Sequence, residues 1–190
     1  MNPMADDRKD EKGGLERILA DRREKAAKLR ALGLHPYANH FRPAHTAADV
    51  LEAGKSLPAP ADGTLSEPAG ESKGDAPRYS LAGRIAALRS FGKAAFVKLD
   101  DRTGRVQVQV RRDVLSETDF AAFKLAEPGD FAGVVGPVFR TRTGEVTVLA
   151  ERWNHLTKAL RPPPEKWHGL TDVETRLRHR SVDLFSNPDV

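Results

Sequence analysis

The stretch "GKAAFVKLDDRTGRVQVQV", Gly92 to Val110, decides the fold. Successive side chains of a strand point to opposite faces, so apolar residues at every second position mark a half-buried strand. Ala95, Val97 and Leu99 share one face, while Phe96, Lys98 and Asp100 share the other. Asp101-Arg102-Thr103-Gly104 reads as a turn, and Val106, Val108 and Val110 then continue the apolar face. Arg105, Gln107, Gln109 and Arg111 take the polar one. Phe96 is the anomaly of this hairpin. A large aromatic among Lys, Arg and Gln is either covered, by the N-terminal helix or an edge loop, or left open to stack on a ligand.

The period of two extends outward from the hairpin. "YSLAGRIAALRS" precedes it, and "GDFAGVVGPVFRT" and "EVTVLAERWNHL" follow, bringing the expected strands to five, with Thr141-Arg142-Thr143-Gly144 as a second turn. Between the third and fourth strands, "DVLSETDFAAFKLAEPGD" has helical spacing of Phe120, Phe123 and Leu125 behind a cap-like Ser116. Three strands, a helix and two strands is the order of a five-stranded Greek-key barrel of the OB type, here residues 78–157. The fold class is therefore mainly β with flanking helices (α+β). Such barrels bind oligonucleotides on the face of their second and third strands, where Phe96 and Gln107 lie. Gly83 and Gly92 permit bulges, so the alternation of the first strand, and with it the side on which Arg89 falls, stays open.

Around this unit the chain reads as follows. Residues 1–13 are charged, mixed in sign and expected to be disordered. Residues 14–53 hold an amphipathic helix and an extended arm that leads into a short helix near Thr46 to Ala53. The helix buries Leu15, Ile18, Leu19, Ala26, Leu29 and Leu32, and exposes a basic side that includes Arg22 and Arg23. Residues 54–77 carry four prolines and no aromatic, and read as a flexible loop. Residues 158–190 begin at a rigid Pro162-Pro163-Pro164 hinge and end in a short helix capped by Thr171 or Asp172, with Glu174 as a possible capping-box partner.

Between Arg84 and Arg112 eight basic residues stand against two acidic ones, a distribution that attracts polyanions as readily as it makes a solvated surface. The absence of cysteine excludes disulfides, thiolate metal sites and cysteine nucleophiles. No apolar run is long enough to span a bilayer, so a cytoplasmic protein without membrane contact is expected. His35, His40 and His45 recur every five residues, which matches neither a helix face nor a strand face and argues against a metal site.

The chain resembles the N-terminal region of class II lysyl-tRNA synthetase, the subgroup with an OB-type anticodon-binding domain. The resemblance is carried by "RREKAAKLRALG", "PYANHFRPAHT", the Gly83–Asp113 segment, "PGDFAGVVGPVFRTRTGEVTV" and "LTKALRPPPEKWHGLTDVETRLRHRSVDL". It implies that Phe96 stacks on the central uridine of the anticodon and that Gln107 reads its edge. Arg89 matches a basic residue beside that base, and Glu145 an acidic residue that contacts the anticodon. Lys93, Lys98, Arg105, Arg22 and Arg23 are the expected phosphate contacts. The implied partner is the anticodon stem-loop of tRNA(Lys).

The resemblance also implies a following catalytic domain, whose arginine-rich motifs do not occur in these 190 residues. ATP and magnesium belong to that domain, so no catalytic residue, metal or cofactor is expected here. The family's dimer interface lies in the same domain, which leaves a monomer open for this chain. The tail departs from the family at Pro163, Leu177, His179 and Ser181. A free-standing relative that binds RNA or protein is the alternative.

Overall fold

The computed structural model describes residues 3–57, 76–92, 94–163 and 172–187, in two compact units divided at Leu160 and Arg161. The first unit is built on six strands: β1 (Arg78–Phe91), β2 (Ala94–Asp101), β3 (Gly104–Arg111), β4 (Phe131–Arg140), β5 (Val146–Leu149) and β6 (Arg152–Thr157). Its helices are α1 (Pro3–Ala31), α2 (Ala47–Lys55) and α3 (Glu117–Phe123). The expected fifth strand is split at Ala150 and Glu151, so that β5 pairs with β3 and β4 while β6 pairs with β4 alone.

One long strand closes the sheet. β1 pairs with β4 from Arg78 to Arg84, then with β2 from Arg84 to Phe91. Strands therefore run β1-β2-β3-β5-β4 and back to β1, with β3 and β5 parallel and the other pairs antiparallel. The β1 turnover is tight: a Cβ on Gly83 would lie 2.7 Å from the Asp100 carbonyl oxygen. At the β4–β5 closure a Cβ on Gly136 would lie 1.8 Å from the Leu149 carbonyl oxygen, so only glycine fits. Inside the ring pack Leu81, Ile85, Val97, Leu99, Val106, Val108, Val110, Val134 and Val148. The interior alternation read for β2 and β3 holds at every valine and leucine.

Two short helices seal the core. Thr46 caps α2 in a reciprocal box with Asp49. The Asp101 carboxylate at the β2–β3 turn accepts from the Ala47 amide at 2.7 Å and from the Thr103 and Gly104 amides. Burial pushes the Asp101 carboxyl up, but these donors and the Thr103 hydroxyl hold it below its usual value. Ser116 caps α3, whose Phe123 meets Trp153 edge to face at 5.1 Å.

Helix α1 differs from expectation at both ends. It begins at Pro3, so the charged stretch read as disordered is helical from there on; proline suits a first helical turn. Nor is it amphipathic along its length, since Leu15 and Ile18 are exposed while Ala26 and Leu29 are buried, and Leu32, just past its end, is exposed as well. Beside the fully buried Leu29, its attachment is polar and ionic. Arg22, expected on the phosphate-facing side, is only 5% exposed and donates to the Ala159 and Pro128 carbonyls at 2.8 and 3.1 Å. Beneath it Lys158, fully buried, donates to Leu125 O at 3.0 Å, Glu127 Oε2 at 2.5 Å and Asp130 Oδ2 at 2.9 Å. Lys25 reaches Glu127 Oε1 at 2.8 Å. Burial raises the Glu127 carboxyl, yet the bonds from Lys158 and Lys25 bring it below the ordinary carboxylate value.

Of the stretch expected as a flexible loop, Gly54 and Lys55 belong to α2, and residues 58–75 lie outside the described residues. The second unit holds α4 (Val173–Arg178) and α5 (Arg180–Ser186). Asp172 caps α4 by accepting from the Thr175 amide, which leaves Glu174 to pair with Arg178 at 2.6 Å rather than complete a capping box. Pro164 and the Lys166-Trp167-His168 segment lie outside the described residues.

Two outcomes test this account of the core. Lys158→Met leaves the fully buried Asp130 carboxylate without its ammonium donor, while Glu127 keeps Lys25, and should lower unfolding free energy by about 3–5 kcal/mol in urea denaturation. His155 is 5% exposed beside Asp130 and Lys158, and burial, with Lys158 adding and Asp130 opposing, lowers its pKa to about 4. The unfolded imidazole binds its proton near pH 6.5, so stability should fall as pH drops from about 6.5 to about 4, by about 3 kcal/mol in all. His155→Leu should flatten that limb of the stability–pH profile.

Candidate nucleic-acid interface

Two cross-strand rows on the outer face build the site. In the first, Ala87 of β1, Lys98 of β2, Gln107 of β3, Thr147 of β5 and Phe139 of β4 are successive register partners. In the second, Arg89, Phe96, Gln109 and Leu149 follow one another across β1, β2, β3 and β5. All of these except Thr147 and Leu149 line one cavity of about 500 Å³, together with Phe91 and the Thr141–Glu145 hairpin.

The side on which Arg89 falls is decided by a bulge. Leu81, Gly83 and Ile85 point inward, and the β1–β2 register slips by one residue between Ile85 and Ala87. Gly129 and Asp130 bond to the Ile85 backbone there, at 2.8 Å each. After the slip Leu88 faces Val97, and Arg89 stands opposite Phe96 on the outer face. Without it, Arg89 would share the inward parity of Ile85.

Phe96 is half-buried and meets Phe91 edge to face, with ring centroids 6.3 Å apart. Phe91 is 62% exposed at the rim, and Phe139 is buried beneath. Among the described residues neither helix nor loop covers Phe96, which lines the cavity.

The polar residues are less free than the alternation implies. Gln107 is only 8% exposed, because parallel β5 lies beside it, and its Nε2 donates to Thr147 Oγ1 at 2.9 Å. Glu145 and Lys98 form an ion pair across the pocket. Arg105 donates twice to Asp100, at 2.6 and 2.7 Å, a bidentate grip that raises its pKa and engages the guanidinium expected to meet phosphate. Arg22 is buried under α1, as described above, and is corrected from a phosphate contact to a structural one. Arg23 is exposed on α1 and Arg89 at the pocket, whereas Lys93 lies outside the described residues.

Four contributors were not singled out from sequence: Phe91, Gln109, Phe139 and Arg142. Gln109 and Phe91 carry a signal in hindsight, since Gln109 faces Phe96 directly in the hairpin register and Phe91 is an aromatic one residue before a glycine turn. Phe139 could be placed only by the β4–β5 register. Among the described residues no group of three or more His, Asp or Glu is gathered to hold a metal. His45 instead accepts from the Ser80 amide through Nδ1 at 3.0 Å.

An open basic face with a base-sized aromatic platform on a closed OB-type sheet is a surface for single-stranded nucleic acid. Residues 79–156 match the family described as the OB-fold nucleic acid binding domain. This segment is a member of that family. The chain is 48% identical over 182 residues to the lysine–tRNA ligase of Anaeromyxobacter sp. (strain K), which covers 95% of the chain and 34% of that protein. It is 45% identical over 172 residues to the lysine–tRNA ligase of Xylella fastidiosa (strain 9a5c), covering 90% of the chain and 32% of that protein. The corresponding ligase of Carboxydothermus hydrogenoformans is 40% identical over 176 residues, 93% of the chain and 33% of that protein. The chain thus spans about a third of the length of the curated relatives it matches. The OB-fold segment lies within the matched third, which agrees with the resemblance drawn from the motifs. Among the described residues no helix is long and apolar enough to cross a membrane.

The Lys98–Glu145 pair is half-exposed, so it adds little to stability. Lys98→Met should change the unfolding free energy by under about 1 kcal/mol in urea denaturation, leaving any larger effect of the variant to ligand binding.

Proposed function

We propose that this chain reads the anticodon loop of a lysine tRNA and holds it for a ligase whose chemistry lies outside these residues. The observation that carries this is Phe96, half-buried at the centre of the second cross-strand row, with an open cavity over it and amides and charges around it. An unpaired base has a free π-face and free edges, so one ring with amides beside it suffices for recognition. Phe96 supplies the platform, Gln107 and Gln109 lie under the base edge, and Glu145 closes one side. Arg89, Lys98 and Arg142 line the mouth as cations for the backbone, with Arg23 further off on α1. Lys98 must leave Glu145 to do so, which frees the carboxylate for base donors.

The similarity to lysine–tRNA ligases supports lysine tRNA as the substrate class. Adenylation with ATP and magnesium would then reside in a catalytic portion of the same enzyme, in the cytoplasm, and this chain alone would recognise without catalysing. No residue of the pocket is assigned a chemical step.

Binding of this chain to an anticodon stem-loop bearing UUU, at low and moderate salt, tests the proposal. Stem-loops altered at the central base should bind more weakly, and Phe96→Ala should lose about 1–3 kcal/mol of affinity for the UUU loop. Arg89→Gln should weaken all loops alike and reduce the slope of affinity against salt by about one. Equal, strongly salt-dependent binding to every loop, indifferent to Phe96→Ala, would leave a merely basic surface and overturn base reading.

A further inference from the structure

We propose that Thr147 is a positioning residue that sets the hydrogen-bonding polarity of the pocket, through Gln107, in favour of a base carrying an imino N–H. The proposal rests on the anticodon reading above and deepens it. Thr147 is fully buried on β5, and its hydroxyl meets two polar groups among the described residues: the Glu145 carbonyl at 3.1 Å and the Gln107 side-chain amide at 2.9 Å. A carbonyl oxygen only accepts, so the single hydroxyl hydrogen of Thr147 goes to Glu145. What remains toward Gln107 is an oxygen lone pair, against which only the amide NH₂ fits. The Gln107 amide therefore has one orientation.

Its consequence lies on the other side of that amide. With one Nε2 hydrogen on Thr147 and the amide so oriented, Oε1 is the acceptor Gln107 offers to a ligand, and no protein donor among the described residues takes it. Gln109, opposite Phe96, has its Oε1 buried away from the cavity, so Gln107 Oε1 is the oriented acceptor of the pocket floor. Uracil places an N3–H at the middle of its pairing edge, whereas cytosine places a lone pair there. Gln107 Oε1 held against that middle position meets the first with a hydrogen bond and the second with repulsion, so cytosine must shift to bring its neighbouring N4–H donor there. Glu145 takes part twice: its backbone carbonyl orients Thr147, while its carboxylate stands at the cavity wall.

The test is the ratio of dissociation constants of this chain for two stem-loops that differ only by U or C at the central loop position. Thr147→Val and Thr147→Ser are compared with the unaltered chain, and urea denaturation checks that each variant is folded. The unaltered chain should favour U by about tenfold or more. Thr147→Val removes the hydroxyl at nearly constant volume and lets the amide turn over, so the ratio should fall toward one, with the C loop held or strengthened. Thr147→Ser keeps the hydroxyl and should keep the ratio. A folded Thr147→Val chain that retains the full ratio, or that loses affinity for both loops equally, would overturn the relay and leave anticodon reading intact. No discrimination by the unaltered chain would sink the reading and the relay together.

Discussion

The double pairing of β1 is the constraint on which the rest of the structure depends. One strand must serve β4 with its first half and β2 with its second, changing partners at Arg84. That demands a close approach, which Gly83 permits, and a slip in register, which the bulge after Ile85 supplies. The slip reverses the alternation of everything that follows in the strand. Closure of the core and placement of Arg89 beside Phe96 are thus consequences of one local event. A straight β1 would leave the sheet open and turn Arg89 into the valine-lined interior, where an unpaired guanidinium is costly.

Helix α1, besides seating Leu29 in the core, is held by the opposite kind of force. Where the ring is closed by valines, the helix is fastened by Arg22 and Lys25 over a buried Lys158–Glu127–Asp130 cluster. Charges so placed are costly to desolvate, and the cluster persists because the three hydrogen bonds that Lys158 donates, to Leu125 O, Glu127 and Asp130, offset that cost. Its directionality sets where the helix can sit, as an apolar stripe would not. The same arrangement removes Arg22 from solvent and leaves Arg23, its neighbour in sequence, on the surface.

In the proposed reading, the pocket divides labour between a tolerant element and a selective one. Phe96 with Phe91 at its rim offers π-surface that any base can use. Selectivity has to come from groups with a defined donor or acceptor sense, and those groups are the amides beneath. An amide on an open strand face can turn over and accept or donate alike. Packing parallel β5 against β3 brings Thr147 to Gln107 and takes that freedom away. The Lys98–Glu145 pair across the mouth keeps both charges in place with little net cost to the free protein.

Much of this was legible in the amino-acid sequence. Valines at every second position, turn residues between them and capping residues before the short helices act over a few neighbours, so they determined β2, β3, α2 and α3, the inward face of the hairpin and the anomaly of Phe96. Local patterns do not say how a side chain is used once distant segments meet. Arg22 is an ordinary basic residue on a helix until Glu127, Asp130, Pro128 and Ala159 close over it. Gln107 is an ordinary polar-face residue until β5 arrives beside it, and Phe139 joins the pocket only through the β4–β5 register. The sequence by itself determined the β2–β3 hairpin, the Ser116 cap and the family likeness, because those depend on short-range periodicity and on motifs. Only the tertiary structure decided the phase of β1, the burial of Arg22 and the orientation of Gln107, because each depends on a hydrogen-bond partner more than 35 residues away along the chain.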